Sequence, residues 1–173
     1  MGVPFLPVRG FGGSDYLKVR EDFKYIINPY DSGEKLVVVP SLTPDAALFH
    51  AFQADRSGNV LADASQNNKL LAQAARGAVL VTVEEVVDKL SWSPDKMFIP
   101  GHYITALVHA PGGAHPTSCP GYYKTDGNHL QEYKRAASAP DTWHNYLQKY
   151  ITGLPGEAAY RKVIAWEKIK EEK

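Results

Sequence analysis

Ile104-Thr-Ala-Leu-Val-His-Ala-Pro-Gly-Gly-Ala-His-Pro-Thr-Ser-Cys119 is the stretch from which the rest of the chain is read. Its first half is an apolar run of strand formers, and its second half holds Pro111, Gly112, Gly113 and Pro116 around His115. Proline fixes φ at the entry and exit of such a loop, and glycine lets backbone N–H groups approach a ligand with no Cβ in the way. In an open α/β sheet, the loop at the carboxyl end of a strand is where ligands collect. Two readings fit the residues: a ligand loop, or a rigid surface turn whose glycines serve only the bend.

Working outward, Leu36-Val-Val-Val39, Ala46-Ala-Leu-Phe-His-Ala51 and Val79-Leu-Val-Thr-Val83 are short apolar runs bounded by breakers, as expected of buried strands. The connection between the first two is too short for a helical crossover, so they need not be parallel neighbours. Leu70, Leu71, Ala74 and Ala75 recur at helical spacing within Asn67 to Arg76, and Gly77 supplies the stop. Glu84 to Leu90 reads as a short helix, so Glu84 and Glu85 are read as first-turn acids favoured by the helix dipole rather than as catalytic carboxylates. Met97-Phe-Ile99 leads into the last strand.

After Cys119 the pattern turns helical. Asp126 or Asn128 caps one helix, and Asp141 or Thr142 caps a second, which carries the stripe Trp143, Tyr146, Leu147, Tyr150 and Ile151. Glu157 to Lys173 reads as one last amphipathic helix. The expected organisation is a single domain, with an α/β part over 1–120 and a helical tail over 121–173.

Composition narrows the function. The 173 residues suffice for one domain with a real core. Lys plus Arg equals Asp plus Glu at 19 each, so the basic balance of a nucleic-acid binder is missing. The apolar runs are far shorter than a membrane span. A cytoplasmic protein is expected, and the lone Cys119, which cannot form an internal disulfide, fits a reducing compartment. Cys119 beside turn residues reads as inert rather than nucleophilic. His102 and His109 fall on opposite faces of a strand, and no cluster of metal ligands is evident. Arg9-Gly-Phe-Gly-Gly-Ser14 is either a flexible glycine loop or a phosphate cradle in which Gly10, Gly12 and Gly13 expose N–H groups beside Arg9. It lacks the Gly-Lys-Ser/Thr ending of a phosphate loop and the spacing of a dinucleotide fingerprint. Asp55, Gly58 and Asn59 make a well-built turn or a second loop at a strand's carboxyl end.

Gly2-Val-Pro-Phe-Leu-Pro-Val-Arg9, Ala54-Asp-Arg-Ser-Gly-Asn59, Thr82-Val-Glu-Glu85 and Ala110-Pro-Gly-Gly-Ala-His-Pro-Thr-Ser118 occur in this order, followed by Gly121-Tyr-Tyr123 and a helical tail. Together they resemble the A subunit of family I CoA-transferases, of the glutaconate CoA-transferase type. The resemblance implies the α/β fold that these enzymes share with sugar-phosphate isomerases, a largely parallel sheet flanked by helices, and a B-subunit partner of like architecture. It further implies covalent catalysis through a glutamyl-CoA intermediate on a glutamate of that partner, with no catalytic residue assigned in this chain. The wall of the site would come from Arg9, Gly10, Gly12, Gly13, Asp55, Asn59, Gly112, Gly113, His115 and Ser118. No metal or permanently bound cofactor is implied, since the CoA thioester is itself the substrate. Relatives with this pattern are implicated in hydrolysis and decarboxylation of CoA thioesters, and a non-catalytic structural subunit is the third reading. The chain is expected to correspond to the carboxyl-terminal portion of such a subunit, with sequence missing upstream of the Val-Pro-Phe motif.

Overall fold

Two sheets share out the strands in the computed structural model, which describes residues 3–171. Gly2, Glu172 and Lys173, which belong to stretches read above, lie outside them. The first sheet is antiparallel, with order β1-β3-β2: β1 is Phe5–Val8, β2 is Lys24–Asn28 and β3 is Asp31–Pro40. The tight hairpin between β2 and β3 is set by the Asn28 side chain, which accepts from the Tyr30 N–H at 2.9 Å. A single helical turn, α1 (Tyr16–Val19), precedes β2.

The second sheet has five strands in the order β7-β5-β4-β6-β8, with β4 Ala47–Asp55, β5 Val60–Asp63, β6 Val79–Val87, β7 Lys96–Ile99 and β8 Ala106–His109. The α/β class holds. The parallel half is β4-β6-β8, while β5 and β7 run antiparallel to their neighbours, so the sheet is mixed. The tight turn at 55–59 returns the chain next to β4 as a hairpin, whereas α2 (Asn68–Ala74) provides the crossover that parallel pairing needs.

Strand parity assigns the two faces. Ala47, Phe49 and Ala51 of β4 and Val79, Val81 and Val83 of β6 point to one face, where they join Val60, Ala62, Ile99 and, from α2, Leu71 and Ala72 in the main core. His50, Phe52, Thr82 and Glu84 therefore share the opposite face with Leu48 and Leu80. Leu48, Leu80 and Val108 are exposed there, while Phe52 is buried with Cys119, Tyr123 and Trp166 in a second cluster.

Three expectations about helices change. Residues 84–87 are strand, because β4 offers paired positions as far as Asp55↔Val87, and Val86 and Val87 are β-branched. In the tail, Asp126 caps α3 (Gly127–Ala136) by accepting from the His129 N–H, as expected. Neither Asp141 nor Thr142 caps α4 (Pro140–Leu147): Ala139 holds the cap position, and the Thr142 hydroxyl donates to Ala136 O and Ala139 O. The last helix is two, α5 (Glu157–Val163) and α6 (Trp166–Glu171), divided at Ala165, whose φ of 54° no helix accommodates. Among the described residues no helix is long and apolar enough to cross a membrane.

Parity predicts opposite responses at neighbouring positions. Phe49 is 8% exposed and Leu48 70% exposed. Phe49→Ala should cost about 3–5 kcal/mol in urea unfolding, whereas Leu48→Ala should stay within about 0.5 kcal/mol.

Candidate functional site

Glu84 lies on β6 with its side chain 4% exposed. A carboxylate so placed has left its water behind and must find donors within the protein. Three elements supply them. From β4, His50 Nε2 stands 2.7 Å from Glu84 Oε1. From the loop after β8, the Gly112 N–H donates to Oε1 and Oε2 at 3.0 and 2.9 Å. From the following turn, the Tyr123 hydroxyl donates to Oε1 at 2.8 Å. Burial alone would raise the Glu84 pKa, but His50, the Gly112 N–H and Tyr123 together hold it below the ordinary carboxylate value. The other His50 nitrogen, Nδ1, is 2.8 Å from Thr82 Oγ1, which completes a line of polar groups across the sheet.

These contacts explain the glycines. A Cβ on Gly112 would meet the Trp166 ring at 2.7 Å, and its φ is +83°. A Cβ on Gly113 would meet His50 Nδ1 at 2.8 Å. Both residues permit close approach, but inward, to the protein's own side chains. The loop's N–H groups are spent internally: Gly113 on Ala110 O, His115 on Gly112 O, Thr117 on Ala114 O, Cys119 on Tyr123 O, and Ala114 on the Tyr123 hydroxyl. These N–H groups are turned to the protein's own acceptors, so this stretch of the loop is closed on itself and on Glu84.

His115 also turns inward. Its side chain is 1% exposed, with Nδ1 2.7 Å from the Tyr160 hydroxyl and Nε2 3.2 Å from Asp126 Oδ2. The ring joins the loop to the tail, beside His129, which packs edge-on at 5.0 Å. Arg161 adds a second tie, donating to Pro111 O at 2.6 Å. Ser118 is exposed, as is Thr117 beside it, and lines two cavities.

The remaining predicted residues lie in separate places. Arg9, 82% exposed, follows β1 and pairs with Glu34 at 2.9 Å. Gly10, Gly12 and Gly13 come next in an open turn of the antiparallel sheet. Asp55 accepts from the Ser57 and Asn59 N–H groups and from Asn59 Nδ2, while Asn59 Oδ1 accepts from the Gly101 N–H. Those bonds build the turn itself.

Glu84, Glu85, Pro111, Tyr122, Tyr123, Arg161 and Trp166 line a cavity of about 420 Å³ on one side of the network. His50, Asp63, Gln66, Ser118 and Cys119 line another of about 250 Å³. The Cys119 thiol is pushed up to about 12 by burial and by the Glu84 and Asp63 carboxylates, so it stays protonated and is no nucleophile. Metal-ligand residue types do converge, contrary to the sequence expectation. Donor atoms of His50, Glu84 and Cys119, and of His115, Asp126 and His129, lie within 4.8 Å of one another in each group.

Comparison with known proteins gives one consistent answer. Residues 2–110 match the family described as coenzyme A transferase. The chain is 36% identical to the A subunit of the 3-oxoadipate CoA-transferase of Pseudomonas knackmussii, over 95% of this chain and 58% of that protein. Its fold resembles glutaconate CoA-transferase from Acidaminococcus fermentans, with a TM-score of 0.84 at 30% identity over 97% of this chain and 58% of that one. It also resembles the decarboxylase AibA/AibB, with a TM-score of 0.69 at 34% identity over 86% of this chain and 55% of that one. The chain therefore spans a little over half the length of these relatives.

Two measurements check the geometry. Glu84→Gln turns an amide N–H₂ toward groups that donate, and should cost about 1–3 kcal/mol for the unmet buried donor; Gly112→Ala should in addition shift the Trp166 fluorescence, because the new methyl strikes its ring. Burial raises the Asp126 pKa, but the His129 N–H and His115 lower it more, and the net shift is downward. A lowered carboxylate contributes stability above its unfolded pKa and loses it as pH falls through the folded value. Asp126→Asn should therefore reduce stability at neutral pH and converge with the parent well below about pH 4, read from urea midpoints against pH.

Proposed function

This chain belongs to the coenzyme A transferase family, and we propose that it forms part of the A side of a cytoplasmic, two-subunit CoA-transferase. The complex moves CoA from an acyl-CoA thioester to a small carboxylic or dicarboxylic acid. The observation that carries this reading is the superposition of 97% of the chain on glutaconate CoA-transferase at a TM-score of 0.84.

The side chains at the centre of the fold support the same division of labour. Glu84 is buried, with its oxygens engaged by His50, Gly112 and Tyr123, and Cys119 is held as the thiol. The covalent carrier in this reading is a glutamate of the B subunit. Its carboxylate attacks the acyl carbonyl and expels CoA thiolate, leaving a mixed anhydride. The thiolate then attacks the glutamyl carbonyl, releasing the first acid and leaving the glutamyl-CoA thioester. The second acid reverses both steps. Splitting one difficult exchange into two acyl transfers is the gain of covalent catalysis. The outward edge of the loop at 112–118, with Ser118 foremost, and the turns at 9–13 and 55–59 form this chain's share of the wall. The internal hydrogen bonds of the 55–59 turn and of the loop after β8 keep those parts of the wall in place.

A second reading has its own observation: the match to a decarboxylase at 34% identity. In it the partner lacks the transferase glutamate and the complex hydrolyses or decarboxylates the CoA thioester.

Intact-mass analysis of the chain co-expressed with its B subunit separates these readings. After incubation with an acyl-CoA, a hydroxylamine-sensitive CoA adduct on the B subunit that disappears when an acceptor acid is added is the expected result. Thioester consumption with no adduct would replace transfer by hydrolysis or decarboxylation, and a stable complex that consumes nothing would leave a structural role.

A further inference from the structure

We propose that His50, Glu84 and Cys119 form a binding site for a borderline-soft divalent metal ion of the class that zinc represents. The residues come from three elements, β4, β6 and the turn that closes the loop, and tertiary packing alone unites them. They present one nitrogen, one oxygen and one sulfur, all within 4.8 Å of one another. A mixed nitrogen, oxygen and sulfur set suits zinc and its neighbours, whereas calcium and magnesium select oxygen alone.

What surrounds these donors resembles the support that metal ligands need. A ligating histidine is oriented by a partner on its other nitrogen, and Thr82 Oγ1 stands 2.8 Å from His50 Nδ1. A hydroxyl both donates and accepts, so His50 can hold its proton on Nδ1 toward Thr82 and turn a bare Nε2 to the ion. The carboxylate is likewise oriented, by the Gly112 N–H and the Tyr123 hydroxyl. His50 and Cys119 both line the cavity of about 250 Å³, with Asp63 and Gln66 also on its wall. That cavity supplies the way in and room for water as a fourth ligand. Among the described residues its lining includes Asp63 and no lysine or arginine, a field that favours a cation.

Binding requires the donors to readjust: the Cys119 sulfur, within 4.8 Å of both other donor atoms, settles at about 3.6 Å from each. His50 Nε2 and Glu84 Oε1, now 2.7 Å apart, open to about 3.4 Å to flank a tetrahedral ion with bonds near 2.1 Å. The cation's charge replaces that of the Cys119 S–H proton, which burial and the nearby carboxylates otherwise hold on the sulfur and which leaves to solvent as the sulfur–metal bond forms. The site stands apart from the CoA-transferase reading, and no step of CoA transfer passes through it.

The test uses the whole chain, stripped of metal by chelation and titrated with Co²⁺ as a spectroscopic substitute for zinc. The expected result is one ion per chain, with a thiolate-to-cobalt charge-transfer band in the near ultraviolet and strong tetrahedral visible bands, both abolished by added zinc. Cys119→Ser should remove the charge-transfer band. Thr82→Val, which keeps strand shape and touches no metal ligand atom, should weaken affinity by roughly 10- to 100-fold with an unchanged far-ultraviolet spectrum. Absence of the band in the parent chain, or a band that survives Cys119→Ser, would overturn the proposal. If the serine variant does not fold, undiminished affinity in Thr82→Val overturns it instead.

Discussion

A carboxylate stripped of water is the constraint around which the centre of this protein is built. Glu84 is satisfied only when His50 approaches from β4, the Gly112 N–H descends from the loop and Tyr123 reaches in from the turn. Each donor imposes a further condition. Gly112 must lack a side chain because Trp166 lies over it, and Gly113 must lack one because the His50 ring occupies that space. A buried polar network of this kind stabilises when every member is satisfied and destabilises when one is missing. Among the described residues, no buried side-chain nitrogen or oxygen is left without a partner.

The loop's stiffness has the same source. A Gly-Gly turn in isolation is among the most mobile of backbones. Here its N–H groups are engaged one after another, His115 is clasped by Tyr160 and Asp126, and Arg161 holds the Pro111 carbonyl. The tail, which the aromatic stripe alone would describe as a packed appendage, acts as the outer brace of the loop. Leu48, Leu80 and Val108 are exposed on the same sheet face.

Much of the architecture was legible because it rests on local pattern. The strands at Leu36, Ala47 and Val79, the helix after Asn67 and the cap at Asp126 follow from periodicity and breaker residues. The errors arose where distant partners outweighed local preference. Glu84 and Glu85 satisfy the rules for a helix start, yet pairing along the length of β4 drew them into a strand; the Val86-Val87 pair was the available warning. The final helix breaks at Ala165, a residue that favours helices, so no local preference announces the break. The loop after β8 is legible as a sharp Pro-Gly-Gly turn, but which way its N–H groups and His115 point depends on Glu84, Tyr123 and Tyr160, 28, 9 and 45 residues away from their partners. No window of sequence contains that information.

The position of Trp166 bears on when the centre of the protein comes into being. The ring packs on Tyr123 at 5.0 Å, and its edge fills the space above Gly112. During synthesis the strands, Glu84 and the glycine loop all leave the ribosome well before residue 166 does. The sheet can pair and its main core can close while the second face, with its buried acid, still stands open to water. The tail residue therefore supplies the last cover over Gly112, whose N–H is bonded to Glu84.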